Sequence, residues 1–191
     1  MSLDRIRLAS LHNKVISPEQ AAEFIQDGMT VGMSGFTRAG EAKAVPLALV
    51  QQAKANPLKI TLITGASLGN DLDKQLTEAG VLARRLPFQV DNTLRKAINN
   101  GEVMFIDQHL SETVEQMRNN TLKRPDIAIV EAVAITEDSL IIPTTSVGNS
   151  ASFVEYADKV IIEINTTVST EFEGLHDIYI PEARPTRGPV P

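Results

Sequence analysis

The sequence predicts an α/β fold, a mostly parallel sheet flanked by helices, and three observations predict it. Short apolar, β-rich runs alternate with helix-period segments along the chain. Two of those runs end in Gly/Ser-rich turns, within TVGMSGFTRAGEAKAVP at Thr30–Pro46 and TGASLG at Thr64–Gly69, and a helical pattern follows each. The chain has 191 residues, 42% of them apolar, which suffices for the core of one such domain. Alternation of this kind gives a parallel sheet with crossover helices. Ligands then bind at the carboxyl edge of the strands, where turns of this type sit.

Each element has a local reason. Ser17-Pro18-Glu19-Gln20 starts a helix, with Ser at the N-cap, Pro at N1 and Gln at N3. Ala21, Ala22, Phe24 and Ile25 form its apolar face, and Gly28 ends it. Thr30–Ser34 is a strand. Val45–Lys54 reads as helix, with Leu47, Leu49, Val50 and Ala53 inward, and Asn56-Pro57 breaks it. Lys59–Thr64 (KITLIT) fits a buried strand. Leu72–Ala79 is helical and capped by Gly80; Leu94–Asn99 is a short helix stopped by Gly101. Strands follow at Val103–Ile106 and Ile127–Val130, separated by a helix over Glu112–Asn119. A brief strand at Leu140–Ile142, a helix at Asn149–Tyr156 and a buried strand at Val160–Ile164 complete the pattern. From Pro181 onward PEARPTRGPVP replaces periodicity, so residues 1–180 read as a domain and 181–191 as a linker.

Composition excludes several function classes. A net charge of −6 without a Lys/Arg-dense run argues against nucleic acid as a partner. Zero cysteine removes disulfides, thiolate metal sites and cysteine nucleophiles together. No apolar run approaches the roughly 20 residues that span a bilayer, and the N-terminus has no signal-peptide core. The expectation is a cytoplasmic protein that does not engage membranes.

Gly32, Gly35 and Gly40, spaced G-x2-G-x4-G, match neither a dinucleotide fingerprint nor a P-loop, since no Gly-Lys-Ser/Thr follows. They allow either a tight turn or close approach of a ligand, with Arg38 or Lys43 available to an anion. Gly65-Ala66-Ser67-Leu68-Gly69 is a literal G-x-S-x-G between an apolar run and a helix, the setting of a serine nucleophile elbow. Against that, no HGGG-like segment precedes it, and a serine hydrogen-bonding a carboxylate needs no histidine. Asp107-Gln108-His109 lacks a third metal ligand at suitable spacing. Glu131 and Glu163 end or interrupt apolar strands, where a carboxylate is either functional or a structural partner of backbone N–H groups or of an arginine such as Arg84, Arg85 or Arg95, the reading favoured here. Val147-Gly148-Asn149-Ser150 is a further helix-start turn, with Asn149 or Ser150 as cap and Gly148 open to close approach.

These residues together resemble the N-terminal domain of the acetyl-CoA hydrolase/transferase family, class I CoA-transferases. The segments that carry the resemblance are the two glycine turns, Phe105–Ser111 (FIDQHLS), Ile129–Thr136 (IVEAVAIT), Pro143–Ser150 (PTTSVGNS) and Val160–Asn165 (VIIEIN), in order. The resemblance implies transfer of CoA between short-chain carboxylates through a glutamate nucleophile. That glutamate, the oxyanion glycines and most of the CoA site belong to the family's second domain, so the resemblance assigns no catalytic residue to this chain. CoA is implied as substrate, with no tightly bound cofactor and no metal. The implied partners are acyl-CoA, a short-chain carboxylate, the chain's own C-terminal domain and a second copy in a homodimer. The implied substrate-lining residues are Ser34, Gly35, Phe36, Ser67, Gly148 and Asn149. Val90 stands where some relatives carry a hydroxyl residue, which leaves the preferred acid open. Two other readings remain: a serine esterase using Ser67, and a non-catalytic phosphosugar- or nucleotide-binding module.

Overall fold

The computed structural model describes residues 3–190. Seven strands form one sheet: β1 (Thr30–Met33), β2 (Ile60–Thr64), β3 (Leu82–Leu86), β4 (Met104–Phe105), β5 (Ile127–Ile135), β6 (Ile141–Pro143) and β7 (Lys159–Ile164). Their order is β4-β3-β2-β1-β5-β6, with β7 also paired to β5. Every pairing is parallel except β5–β6. The expected parallel sheet is therefore present, with one strand added at 82–86.

That strand lacks an apolar run because two arginines occupy its middle. It joins the sheet by pairing Thr61 with Arg84 and Leu62 with Arg85. The other expected strands fall within a few residues of their places, and β5 runs on to Ile135 with all nine residues buried.

Among the described residues α1 (Pro18–Ala22) precedes β1, and five α-helices connect strands: α2 (Ala44–Ala55), α3 (Leu72–Glu78), α4 (Asn92–Asn99), α5 (Leu110–Arg118) and α6 (Ser150–Tyr156). Ser17 and Gln20 form the expected capping box on α1: the Ser17 hydroxyl accepts the Gln20 N–H, and the Gln20 side chain accepts the Ser17 N–H. The helix ends at Ala22, well before Gly28. Phe24 turns outward, contrary to expectation, because the helix has already ended and Lys159 lies 4.6 Å above its ring.

Alternate strand residues divide between two cores, as the period of two requires. Leu62, Ile127 and Ile129 pack with α1–α4, whereas Ile63 and Ala128 pack with α5 and α6. Helices thus cover both faces. Gly32 in β1 serves the second core, since a Cβ there would lie 2.8 Å from the Phe153 ring. The C-terminal segment lies along α5, with Arg184 and Arg187 paired to Glu112 and Glu115 and Arg118 donating to the Pro181 carbonyl.

Candidate functional site

Because β1 and β2 are parallel neighbours, their following turns open on the same sheet edge. The first turn begins with Ser34, which is 2% exposed. Its hydroxyl donates to the Gly40 carbonyl at 2.8 Å and accepts the Glu131 N–H at 2.9 Å. Both capacities are used inside the protein. Gly35 adopts φ +130°, a conformation closed to other residues, and carries Phe36 out to the tip, where it is 43% exposed. Thr37, Arg38 and Gly40 also have positive φ, and Phe36 and Ala39 exchange backbone hydrogen bonds across this tight reversal.

Carboxylates of two strands anchor the far end of the turn, Glu131 buried and Glu163 half-buried. Glu163 of β7 accepts the N–H groups of Lys43, Ala44 and Val45 at 2.7–3.1 Å, so it caps α2 from a different element. A carboxylate at a helix N-terminus satisfies unpaired donors and complements the dipole. Glu131 of β5 accepts from Lys43 Nζ at 2.5 Å, Thr144 Oγ1 at 2.6 Å and Asn165 Nδ2 at 2.8 Å. Backbone N–H groups hold Glu163 as the sequence suggested, but no arginine reaches either glutamate. Lysine takes that place at Glu131, because Arg85 points into the core toward Asp73.

The second turn, Gly65–Gly69, is held from both sides of Ser67. Arg85 Nη2 donates to the Ala66 carbonyl at 3.0 Å, and Asp73 Oδ2 accepts the Leu68 N–H at 3.3 Å. The Ser67 carbonyl accepts the Arg38 N–H at 3.1 Å, which ties the two turns together. Ser67 is 5% exposed, and among the described residues its hydroxyl has no protein partner. No histidine reaches it: His12 bonds the Ile6 carbonyl, His176 bonds the Thr144 carbonyl, and His109 stands at the N-cap of α5.

A third segment, Thr144–Ser150, closes over both turns. A Cβ on Gly65 would lie 2.4 Å from the Gly35 carbonyl and 3.3 Å from Gly148 Cα, so the three turns meet backbone to backbone. Ser146 Oγ donates to the Ala39 carbonyl at 2.6 Å. The expected cap is not made, because neither Asn149 nor Ser150 bonds the first turn of α6. Instead Asn149 Nδ2 and Ser150 Oγ are buried without partners. The same holds for Gln89 Oε1, after β3, and for Glu41 Oε2, whose Oε1 accepts from Asn70 at 2.5 Å.

The structure therefore brings Ser34, Gly35, Phe36, Ser67, Gly148 and Asn149 to one edge, and only the Ser67 hydroxyl and the Asn149 amide are left for an external group. Glu41, Asp73 and Gln89, which no motif singles out, belong to the same edge, as do Arg85 and Ser150, which serve neither as a glutamate partner nor as a helix cap. A charged residue between the leucines of LARRL was the one available signal. No group of three or more His, Asp or Glu among the described residues can hold a metal. No described helix is long and apolar enough to cross a membrane. A cavity of about 500 Å³ lies under the C-terminal segment among Arg118, Arg124, Tyr156 and Pro181 and contains none of these edge residues.

The profile of the acetyl-CoA hydrolase/transferase N-terminal domain matches residues 2–187. The chain belongs to that family. It is 46% identical to the succinyl-CoA:acetate CoA-transferase of Clostridium kluyveri over 98% of this chain and 35% of the relative. Similar matches are the acetyl-CoA hydrolase of Kluyveromyces lactis, 41% identical over 98% of this chain, and the propanoyl-CoA:succinate CoA transferase of Escherichia coli, 38% identical over 92%. The chain covers 38% and 37% of those two relatives, so it spans little more than a third of any of the three. The fold is shared with RipA of Yersinia pestis, with a TM-score of 0.68 at 15% identity over 84% of this chain and 39% of that one. It is also shared with the glutaconate coenzyme A-transferase of Acidaminococcus fermentans, with a TM-score of 0.59 at 14% identity over 78% of this chain and 68% of that one. These family members are similar over an N-terminal domain, and the fold neighbours support the α/β architecture.

Proposed function

We propose that this chain is the N-terminal part of an acyl-CoA:carboxylate CoA-transferase or acetyl-CoA hydrolase, and that its glycine-turn edge walls the pocket for the short-chain carboxylate. The observation that carries the reading is Ser67: a family-matched turn grips the peptide groups around this residue and leaves its hydroxyl unpartnered. A hydroxyl so placed donates to a carboxylate oxygen. Phe36 and Asn149 stand at the same sheet edge, and Gly35 and Gly148 let the turns that build the wall close on one another. CoA enters as a substrate. The covalent chemistry falls to residues beyond this chain, which supplies binding rather than a nucleophile. Residues 1–180 form the domain, 181–191 lead toward the C-terminal one, and the assembled protein is a cytoplasmic homodimer.

The test is Ser67→Ala in the full-length protein. One hydrogen bond to a charged group contributes about 1.5–3 kcal/mol, so carboxylate kcat/KM should fall roughly 10- to 150-fold, since about 1.4 kcal/mol is tenfold. Loss of all turnover, together with fluorophosphonate labelling of Ser67 in the parent, would establish a serine nucleophile instead. Residues 1–191 alone are expected to exchange no acetate or succinate into acyl-CoA. Turnover by that fragment, with a modified glutamate inside it, would relocate the nucleophile.

A further inference from the structure

We propose that Arg85 and Asp73 are positioning residues for Ser67, a buried ion pair that fixes the peptide groups on either side of it and so aims its hydroxyl. The inference rests on the reading of Ser67 as the carboxylate's hydrogen-bond donor.

Arg85 is 0% exposed and sits in β3, next to the strand that leads into the turn. Its Nε donates to Asp73 Oδ1 at 2.8 Å and its Nη2 to Asp73 Oδ2 at 3.3 Å, a two-point pairing. Nη2 also donates to the Ala66 carbonyl, and Nη1 to the Leu86 carbonyl. Asp73, in the first turn of α3, accepts the Leu68 N–H through Oδ2. One ion pair thus joins β3 and α3 and grips the backbone immediately before and immediately after Ser67. Thr64 Oγ1 adds a second donor to the Ala66 carbonyl at 2.5 Å.

A wholly buried ion pair is a poor way to gain stability, because desolvation offsets the attraction and apolar side chains of similar volume do as well or better. Its location then carries the argument. Of the two glycine turns that follow β1 and β2, it holds the one whose serine hydroxyl remains free. By contrast, the Ser34 turn, whose hydroxyl is fully bonded, is anchored through the partly exposed Lys43. Binding groups need their supporting shell locked to within a fraction of an ångström. Only a guanidinium meets both Asp73 oxygens and two carbonyls at once; an ammonium is a single point of charge.

The experiment uses the full-length protein and three changes: Ser67→Ala, Arg85→Lys, and the double replacement Asp73→Leu with Arg85→Met. The double replacement fills the space without leaving an unpaired charge. Thermal unfolding establishes that it folds. Carboxylate kcat/KM should then drop about 10-fold or more, since displacement of a binding group by about 1 Å costs up to ~100-fold. The loss should appear in the KM for carboxylate, with the KM for acyl-CoA unchanged. Added to Ser67→Ala, the same changes should cost less than about twofold more, because the group they aim is gone. Equal losses with and without the Ser67 hydroxyl would overturn the positioning role while leaving the carboxylate reading intact. So would parental carboxylate use by the double variant. A silent Ser67→Ala would overturn both. Where the double variant does not fold, Arg85→Lys, which keeps the charge, is judged by the same criteria.

Discussion

The two edges of the sheet use carboxylates in opposite ways. At the amino edge, exposed Asp27 accepts the Lys59 N–H at 2.7 Å, and Asp126 accepts the Thr30 N–H at 2.6 Å. Each satisfies the start of a strand while remaining in contact with water. At the carboxyl edge, Glu41, Asp73 and Glu131 are buried, and side chains distant in sequence meet them: Asn70 at Glu41, Arg85 of β3 at Asp73, and Lys43, Thr144 and Asn165 at Glu131. Among the described residues, the four buried side-chain atoms without partners also belong to this edge. Folding alone asks for the first arrangement. The second is a local departure from what stability favours, and such departures collect at functional sites.

The largest effect that sharpens this contrast is expected at Asp73. Asp73→Ala strands a guanidinium with no route to solvent, which costs about 3–5 kcal/mol. Glu131→Ala removes a carboxylate with as many hydrogen bonds, but Lys43 is about a third exposed and can turn to water. That change should cost about 1–3 kcal/mol, mainly from the polar groups of Thr144 and Asn165 left behind. Denaturant unfolding of both variants checks the order. Equal losses would mean that burial of the cation does not distinguish the two anchors.

A smaller difference separates the two serines. Ser34→Ala removes a donor from the Gly40 carbonyl and an acceptor from the Glu131 N–H, so a loss of about 1–3 kcal/mol is expected. Ser67→Ala should change the unfolding free energy by less than about 0.5 kcal/mol, the range of substitutions that break no internal contact. The two residues follow neighbouring strands in similar Gly/Ser sequences, so opposite results would reverse their roles.

The sequence made this edge legible only where local chemistry decides it. Strand-then-glycine identified both turns, Ser17 and Gln20 identified a helix start, and Gly148 identified the third segment. β3 was not legible because Arg84-Arg85 interrupts its apolar run, whereas in the fold Arg85 is paired with a carboxylate twelve positions earlier. Glu41 and Asn70 meet across 29 positions, and Lys43 and Glu131 across 88. No period or spacing encodes such contacts, since the folded sheet creates them. Phe24 misled for the converse reason: the apolar face was real, but the helix stopped before it.

The smallest expected effect belongs to the amino edge. Burial pushes the Asp126 carboxyl up, but the Lys123 ammonium at 2.7 Å and the Thr30 N–H outweigh it and hold the pKa below the ordinary carboxylate value. A folded-state pKa below the unfolded one stabilises the protein above the unfolded value, near 3.9. That stabilisation is lost as pH falls through the folded value. Asp126→Asn keeps an acceptor for the Thr30 N–H and removes only the charge. At neutral pH it should lower stability by a few tenths of a kcal/mol, as exposed pairs do. The deficit should shrink in high salt, because the Lys123 side chain is largely exposed. It should vanish once acid has protonated the parent's carboxyl. Unfolding curves from neutral to acid pH, with and without salt, provide the measurement. A salt-independent loss as large as that of Asp73→Ala would show that the amino edge, too, depends on buried charge, and the contrast between the edges would fail.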